Sequence, residues 1–340
     1  MSGVLNSEDS SLAAVPKTLL LSDVDFGTEI GAGSTCTVHI ARLRHTPYEE
    51  GPGPLAVKAI SRRRHLTKKA FEHLLTERRL LEEVEHPCIV HFHKSFKDSD
   101  NVYYLMELMS RGTVLEHLQH EAPAAKASLA QVKHYAASVL LALRHLSHQN
   151  ILYRDLNLKN VMVNHKGHVK LVDLGKAKRL GDPDDASEST CRTHTLCGTR
   201  HYFPPEALTQ HGFCLASDRW ALGVFISELL HNTPLFDYNQ SAQDLHKTIL
   251  AVPSSLPPSP WGGLFSSESE ELVRMLLQKQ PEDRPSFESI MAHPWFSDVN
   301  FDGILGGTET LGGNLPAVRA AVQVFEYTSR RRFATPSRSA

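Results

Sequence analysis

The stretch YRDLNLKNVM, Tyr153 to Met162, places a cation, Arg154, beside a carboxylate, Asp155, with an amide, Asn160, shortly after. A second carboxylate, Asp173, follows in LVDLG. An aspartate able to accept a proton, together with an amide and a further carboxylate able to hold a divalent cation, is the set that phosphoryl transfer from ATP requires. Mg2+ (or Mn2+) takes oxygen ligands and keeps water and phosphate in its shell, so Asn160 and Asp173 would suffice as metal ligands. Asp and Asn are individually common turn formers. Their joint order carries the reading.

Two upstream features bear on the same chemistry. Ile30 to Val38 reads IGAGSTCTV, a glycine-rich turn between two strand patterns. Glycine lets backbone N–H groups approach phosphate oxygens without a Cβ in the way. Taken alone it is better read as an ordinary hairpin turn, and no Gly-Lys-Ser/Thr follows, so it is not a Walker loop. In AVKAI, Lys58 alternates onto the face of Ala56 and Ile60, an expensive place for an unpaired charge, and so needs a carboxylate partner. The next helix pattern offers Glu77 in LLTERRLL. The competing readings are a solvent-facing strand lysine and a helix glutamate paired within its own helix.

The elements that must position these residues follow from the patterning. FGTEIGAG, TVHIARLRH and PLAVKAI read as three short strands, with the turn-rich HTPYEEGPGP before the third. KKAFEHLLTERRLLEEVEHP reads as a helix burying Phe71, Leu74, Leu75, Leu81 and Val84 and stopping before Pro87. IVHFHKSF and NVYYLMEL are two further strands. From Thr113 helical patterns dominate, interrupted by VMVNHKG and HVKLVDLG, a hairpin. A small β-rich lobe with one helix therefore precedes a larger, mostly helical lobe.

With 340 residues, 41% of them apolar, a two-lobed globular chain is the natural prior. A formal charge of -2 gives no bulk electrostatic case for nucleic acid or an anionic membrane. The five cysteines, Cys36, Cys88, Cys191, Cys197 and Cys214, form no C-x-x-C pair, which argues against a disulfide framework and a zinc site and for reduced thiols. No apolar run is long enough to span a bilayer, VPKTLLL is too short for a signal-peptide core, and the Met-Ser start lacks the glycine that myristoylation needs. SRRRHLTKK reads as a solvated face or phosphosite-binding cluster in preference to a nuclear signal. The expected location is cytoplasmic, with nuclear entry left open.

The order of glycine-rich loop, strand lysine, helix glutamate, Y-R-D-x-x-x-x-N, D-L-G and P-P-E resembles the eukaryotic protein kinase signature, with Leu174 and Pro204 in place of the usual Phe and Ala. Asp218 in SDRWALG and Arg284 in PEDRPS extend the match, the latter resembling the arginine that pairs with the P-P-E glutamate, here Glu206. The resemblance implies an α+β bilobal kinase fold, with an antiparallel β-rich N-lobe at 23–106, a hinge at 107–112 and a C-lobe at 113–296. A mobile segment, 1–22, would precede it and a tail, 297–340, would follow. SFKDSDNVYYLMELMSRGTVLEHL, LVDLGKAKRL and RTHTLCGTRHYFPPEAL are similar to the cyclic-nucleotide-dependent branch of the AGC group. That implies phosphorylation of Ser/Thr on protein substrates by a monomeric catalytic unit. It also implies a regulatory phosphosite at Thr195 near Arg154, an upstream activating kinase and, in some members, a regulatory subunit.

By the same resemblance Asp155 orients and accepts the hydroxyl proton, while Lys58, oriented by Glu77, holds phosphates. Asn160 and Asp173 would bind metal. The ATP site would take Ile30, Gly31, Ala32, Gly33, Ser34, Thr35 and Cys36 from the loop. Val38, Ala56 and Met162 would pack on the adenine faces, Met106 would guard the back, and Glu107 and Met109 would offer backbone hydrogen bonds.

The departures matter as much. Cys36 replaces the third loop glycine, which predicts weaker ATP binding; a tolerated side chain is the simpler reading than a redox switch. Asn157 stands where such Ser/Thr kinases carry a lysine, and loss of one preorganised transition-state donor reduces rate by roughly 10² to 10³. Lys159, placed where receptor-type tyrosine kinases carry an arginine, is expected to restore that charge, so its removal should harm turnover more than removal of Asn157. Lys159 and Thr113 also replace acidic contacts for substrate arginine, although Glu228 is kept, which predicts weakened arginine preference. Phe325 and Tyr327 could return to the adenine pocket or be a casual aromatic pair, and no terminal F-x-x-F is seen. Against an active kinase stand a pseudokinase scaffold and, less suited to the long activation segment, a small-molecule kinase.

Overall fold

Strand-forming residues dominate the first part of the chain. Its computed structural model describes residues 18–33, 35–44, 53–63, 68–120, 127–181, 192–209, 211–252 and 267–311, with only the backbone at 68–73 and 120. The first 17 residues, Ser34, most of the HTPYEEGPGP insertion, Cys191, and the tail beyond 311 with Phe325 and Tyr327 lie outside the described residues. The chain divides into two compact units, whose described parts are 18–72 with 91–108 and 73–90 with 109–311.

In the first unit β1 (Val24–Ala32), β2 (Cys36–Leu43), β3 (Leu55–Ser61), β4 (Phe92–Lys97) and β5 (Asn101–Glu107) form a five-stranded antiparallel sheet in the order β1-β2-β3-β5-β4. Apolar side chains alternate onto one face, where Leu19, Val24, Ala41, Leu43, Leu55, Val57 and Leu105 make a core flanked by Phe96 and Tyr103. The strand expected over IVHFHKSF begins only at Phe92. Ile89 and Val90 are buried outside it, in the second unit, Ile89 bridging to Leu171 and Val90 donating to the Leu171 carbonyl.

Helix α1 (Lys68–Glu83) has a buried stripe of Leu74, Leu80 and Leu81 that continues to Val84. Leu75, expected in that stripe, is exposed, and Leu80 takes its place. A helix turns about 100° per residue, which carries Leu75 to the side opposite Leu80 and Val84. The same rotation sets Glu77 on the side of Leu80 and Val84, and its side chain is half-buried.

The second unit is mostly helical. It comprises α2 (Val114–His120), α3 (Leu129–His148), the short pair β6 (Ile151–Leu152) with β9 (Lys178–Arg179), the hairpin β7 (Val161–Val163) with β8 (Val169–Leu171), then α4 (Pro205–Leu208), α5 (Ser217–His231), α6 (Ala242–Ala251), α7 (Ser267–Leu276), α8 (Phe287–Met291) and α9 (Phe301–Leu305). Ser128 starts α3 with a capping box, accepting from Gln131 N while its own N–H donates to Gln131 Oε1. α5 is apolar nearly all round, burying Trp220, Leu222, Phe225, Ile226 and Leu229, and packs against α3 and α7. It ends at Asn232, which takes the left-handed conformation at φ 53°.

Charge is buried beside α5. Arg284 forks onto Glu206, Nη1 to Oε1 at 2.8 Å and Nη2 to Oε2 at 2.6 Å, with both side chains out of solvent and the guanidinium 5.3 Å from the Trp220 ring. Ser217 Oγ also donates to Glu206 Oε1, and Arg284 donates to the Ala216 and Gln278 carbonyls. The pairing expected from the sequence is present. Arg284→Ala would leave Glu206 charged and buried, and should lower stability by about 3 to 5 kcal/mol in urea unfolding. An unchanged unfolding midpoint would contradict that anchoring role.

Candidate active site

In the first unit, Gly31 pairs with Val38 and Ala32 with Thr37, and the turn closes through Gly33 N donating to the Cys36 carbonyl at 2.8 Å. Cys36 Sγ folds back over this turn, 3.2 Å from where a Cβ on Gly33 would lie. The sulfur thus fills part of the space left by the glycine. Thr35 is half-buried, and Ile30 is exposed on β1. Lys58 is half-buried on the central strand β3, opposite Val38 and Tyr104. Val38, Ala56 and Met106 are brought together, packing with Ile40 and Leu108 in one apolar cluster. The Glu107 N–H already donates to the His91 carbonyl, so a ligand bond there would use the Glu107 carbonyl.

In the second unit, the segment around Asp155 is held by a carboxylate from α5. Asp218 accepts from Tyr153 N at 2.7 Å and Arg154 N at 3.0 Å. These bonds fix Arg154 in the left-handed region, φ 67°, which a non-glycine residue adopts only when its surroundings impose it. The Asp218 carboxyl is pushed up to about 6, because burial outweighs the two backbone N–H groups and Arg154. Tyr153 adds a second tie, its hydroxyl donating to the Val172 carbonyl at 2.6 Å.

Asp155 Oδ1 accepts from Thr199 N and Thr199 Oγ1, both at 3.0 Å. Its carboxyl is raised by burial first and by the nearby Asp173 charge, while Thr199 and Asn160 oppose the rise. Asn157 binds this group together: Nδ2 donates to the Asp155 carbonyl and to Thr199 Oγ1, both at 3.0 Å, and Oδ1 accepts from Lys159 N and Asn160 N. The Lys159 side chain is exposed. Asn157 is therefore a loop tie, a role that its reading as a missing lysine did not anticipate.

Asn160 Nδ2 donates to the Asp155 carbonyl at 2.8 Å. Asp173 is exposed at φ 61° and accepts from Gly175 N at 3.2 Å. Glu77 lies close by, its Oε2 3.3 Å from where a Gly175 Cβ would be. Among the described residues no group of three or more His, Cys, Asp or Glu could hold a metal by itself. An amide and a carboxylate completed by phosphate oxygens and water suit Mg2+, and the repulsion between Asp155 and Asp173 is what such an ion would relieve. Met162 is half-buried and bridges Thr113, and Met109 is buried.

Arg154 Nε donates to the Lys176 carbonyl at 2.7 Å and Nη1 reaches the Thr195 carbonyl at 3.5 Å, so the structure brings Thr195 beside Arg154. Thr199 and Gly198 were missed as individual positions. Gly198 sits at φ 99°, with an added Cβ only 2.2 Å from the Arg154 carbonyl, so no other residue fits there. The Gly-Thr pair after TLC in RTHTLCGTRHYFPPEAL was the available signal. Glu228 is buried on α5, where its Oε2 accepts from the Tyr202 hydroxyl.

Residues 24–296 match the family model described as Protein kinase domain, and the chain belongs to that family. It is similar to the cAMP-dependent protein kinase catalytic subunit of Schizosaccharomyces pombe, 33% identical over 292 residues, covering 84% of this chain and 52% of that one. The corresponding subunit of Dictyostelium discoideum is 34% identical over 252 residues, covering 73% of this chain and 36% of the relative. Serine/threonine-protein kinase Sgk1 of Danio rerio is 33% identical over 288 residues, covering 83% and 62%. The expected likeness to the AGC group is borne out, and the chain spans between about a third and two thirds of the length of these relatives.

Burial pushes the Glu228 carboxyl from 4.5 up to about 7, against the Tyr202 hydrogen bond. Between those values the native state holds this proton more firmly than the unfolded chain, so rising pH weakens the fold across that window. Glu228→Gln, which stays neutral, should remove the effect, on the order of 2 kcal/mol. Thermal unfolding from pH 5 to 8 should show a shallower decline in the variant; parallel curves would contradict it.

Proposed function

We propose that this chain is an ATP-dependent protein serine/threonine kinase, transferring the γ-phosphoryl group of Mg-ATP to Ser or Thr of protein substrates in intracellular signalling. The observation that carries the reading is Asp155, held by Thr199 and by the Asp218-clamped backbone, with Asn160 and Asp173 beside it. Thr199 occupies Oδ1, which leaves Oδ2 to receive the substrate hydroxyl and orient it at the phosphorus. A carboxyl raised by partial burial is a better proton acceptor than an exposed one. Mg2+, held by Asn160 and Asp173, would supply charge neutralisation at the phosphate oxygens. Lys58 would neutralise phosphates, and Glu77 and the loop residues 30–36 keep the roles that the resemblance gives them.

The kinase domain would run 23–296, with lobes at 23–106 and 113–296 and a hinge at 107–112. Lys159 would supply the charge that Asn157 cannot, while Asn157 keeps the loop closed. A phosphate on Thr195 would meet the Arg154 guanidinium and the nearby Lys176 and Lys178, ordering the segment that carries Thr199. An upstream kinase and a regulatory subunit are the partners this implies. The reading places the chain in the cytoplasm. Among the described residues no helix is long and apolar enough to cross a membrane.

The test is Mg2+-dependent transfer from ATP to a mixed Ser/Thr/Tyr peptide library, run on the full chain and on Asp155→Asn. Transfer should reach Ser and Thr, fall by at least about 10³-fold in the variant and show little selection for arginine upstream of the acceptor. Absent transfer, with Thr195 phosphorylated and metal varied, would make the chain a pseudokinase scaffold; strong arginine selection would refute the specificity.

A further inference from the structure

The surface next to Asp155 carries an exposed cation that the reaction itself does not use. Arg200 directly follows Thr199, and its backbone is fixed in the 3-10 turn Arg200–Tyr202, through Tyr202 N to the Thr199 carbonyl and Phe203 N to the Arg200 carbonyl. The Tyr202 hydroxyl pins the far end of that turn to Glu228. The Arg200 side chain is exposed, and among the described residues its guanidinium makes no hydrogen bond or ion pair. A rigid backbone thus presents a cation one residue from the threonine that touches Asp155.

Lys159 stands on the other side of the same network. Its N–H donates to Asn157 Oδ1, and the Asn157 amide donates to Thr199 Oγ1, so both cations are tethered to the hydrogen bonds that set Asp155. Its side chain is exposed as well. The carboxylate that could receive a substrate cation, Glu228, is only 2% exposed and is covered by the Tyr202 hydroxyl. Asp237 is exposed nearby, and its charge acts on His201, whose ring lies 4.0 Å from that of Tyr238. The field beside the acceptor site is accordingly positive at Arg200 and Lys159.

We infer that Arg200, reinforced by Lys159, selects substrates with an anionic residue close to the phosphorylated Ser or Thr, either acidic or already phosphorylated. An extended peptide advances about 3.3 Å per residue, so a side chain up to about three positions from the acceptor comes within reach of an arginine beside Thr199. The guanidinium offers a fork that matches either carboxylate or phosphate. This inference rests on the kinase reading for the identity of the acceptor, while the peptide contact can be measured without transfer.

The experiment uses the full chain and serine peptides that are neutral except at a single position within three residues of the acceptor, filled by Asp, phosphoserine, Ala or Arg. Binding by fluorescence anisotropy and kcat/KM for transfer are read separately. In at least one position the Asp peptide should be favoured over Ala by about three- to tenfold, less at high salt, with Arg disfavoured. Phosphoserine favoured well beyond Asp would identify a primed substrate, and equal preference an acidic one. Arg200→Gln should flatten the preference and Arg200→Glu should reverse it, with thermal unfolding of both matching the parent. Preference for Arg, or anion selection unchanged in both variants, overturns the inference and leaves the kinase reading standing. Anion-selective binding without any transfer does the reverse.

Discussion

The second unit depends on one buried carboxylate. Asp218 accepts the successive N–H groups of Tyr153 and Arg154 and in doing so holds Arg154 at positive φ. That local conformation has no support from residue preference, since arginine gains nothing in the left-handed region and the penalty is about 1 to 2 kcal/mol. It turns the chain so that Asp155 meets Thr199 and the Arg154 carbonyl meets Gly198. Burial raises Asp218 to about 6, which still leaves it mostly ionised and able to accept both bonds at neutral pH.

Around this clamp the buried charges work as anchors and the exposed ones remain available to ligands. Arg284 and Glu206 lock the segment after Tyr202 onto the start of α5, the helix that also carries Asp218. Thr199 and the turn that follows are therefore held at both ends, by Asp155 on one side and by the Tyr202 to Glu228 bond on the other. Asn157 closes the remaining gap with short amide bonds to its neighbours. An asparagine there gives up a cation and gains a loop tie, while the side chains of Lys159 and Arg200 stand exposed.

Much of this was legible in the residues. Alternating apolar runs gave the five strands, and the order of Lys58, Asp155, Asn160 and Asp173 identified the family that the model match bears out. Glu206 with Arg284 was also anticipated. What could not be read was side-chain geometry set by tertiary contacts. Leu75 and Leu80 are chemically identical, and only the rotation of α1 against its surroundings decides which is buried. Asn157 is named a substitution by its type but a hub only by its neighbours, and Thr199 gains its role from a residue far earlier in the chain. Glu228 reads in ISELL as a kept acidic contact for substrate arginine, and its burial on α5 under the Tyr202 hydroxyl could not be read from its type.

The most direct test of the account is the steady-state rate of ATP-dependent peptide phosphorylation by the full chain and by Asp218→Asn. The amide can accept one of the two N–H groups and must turn its own N–H toward the other, releasing the backbone at Arg154 without touching Asp155, Asn160 or Asp173. The account predicts transfer by the parent chain and a fall in kcat of about 10²-fold in the variant, with KM for ATP nearly unchanged, because a misplaced acceptor base affects the chemical step more than nucleotide binding. Equal kcat in the two proteins would contradict it.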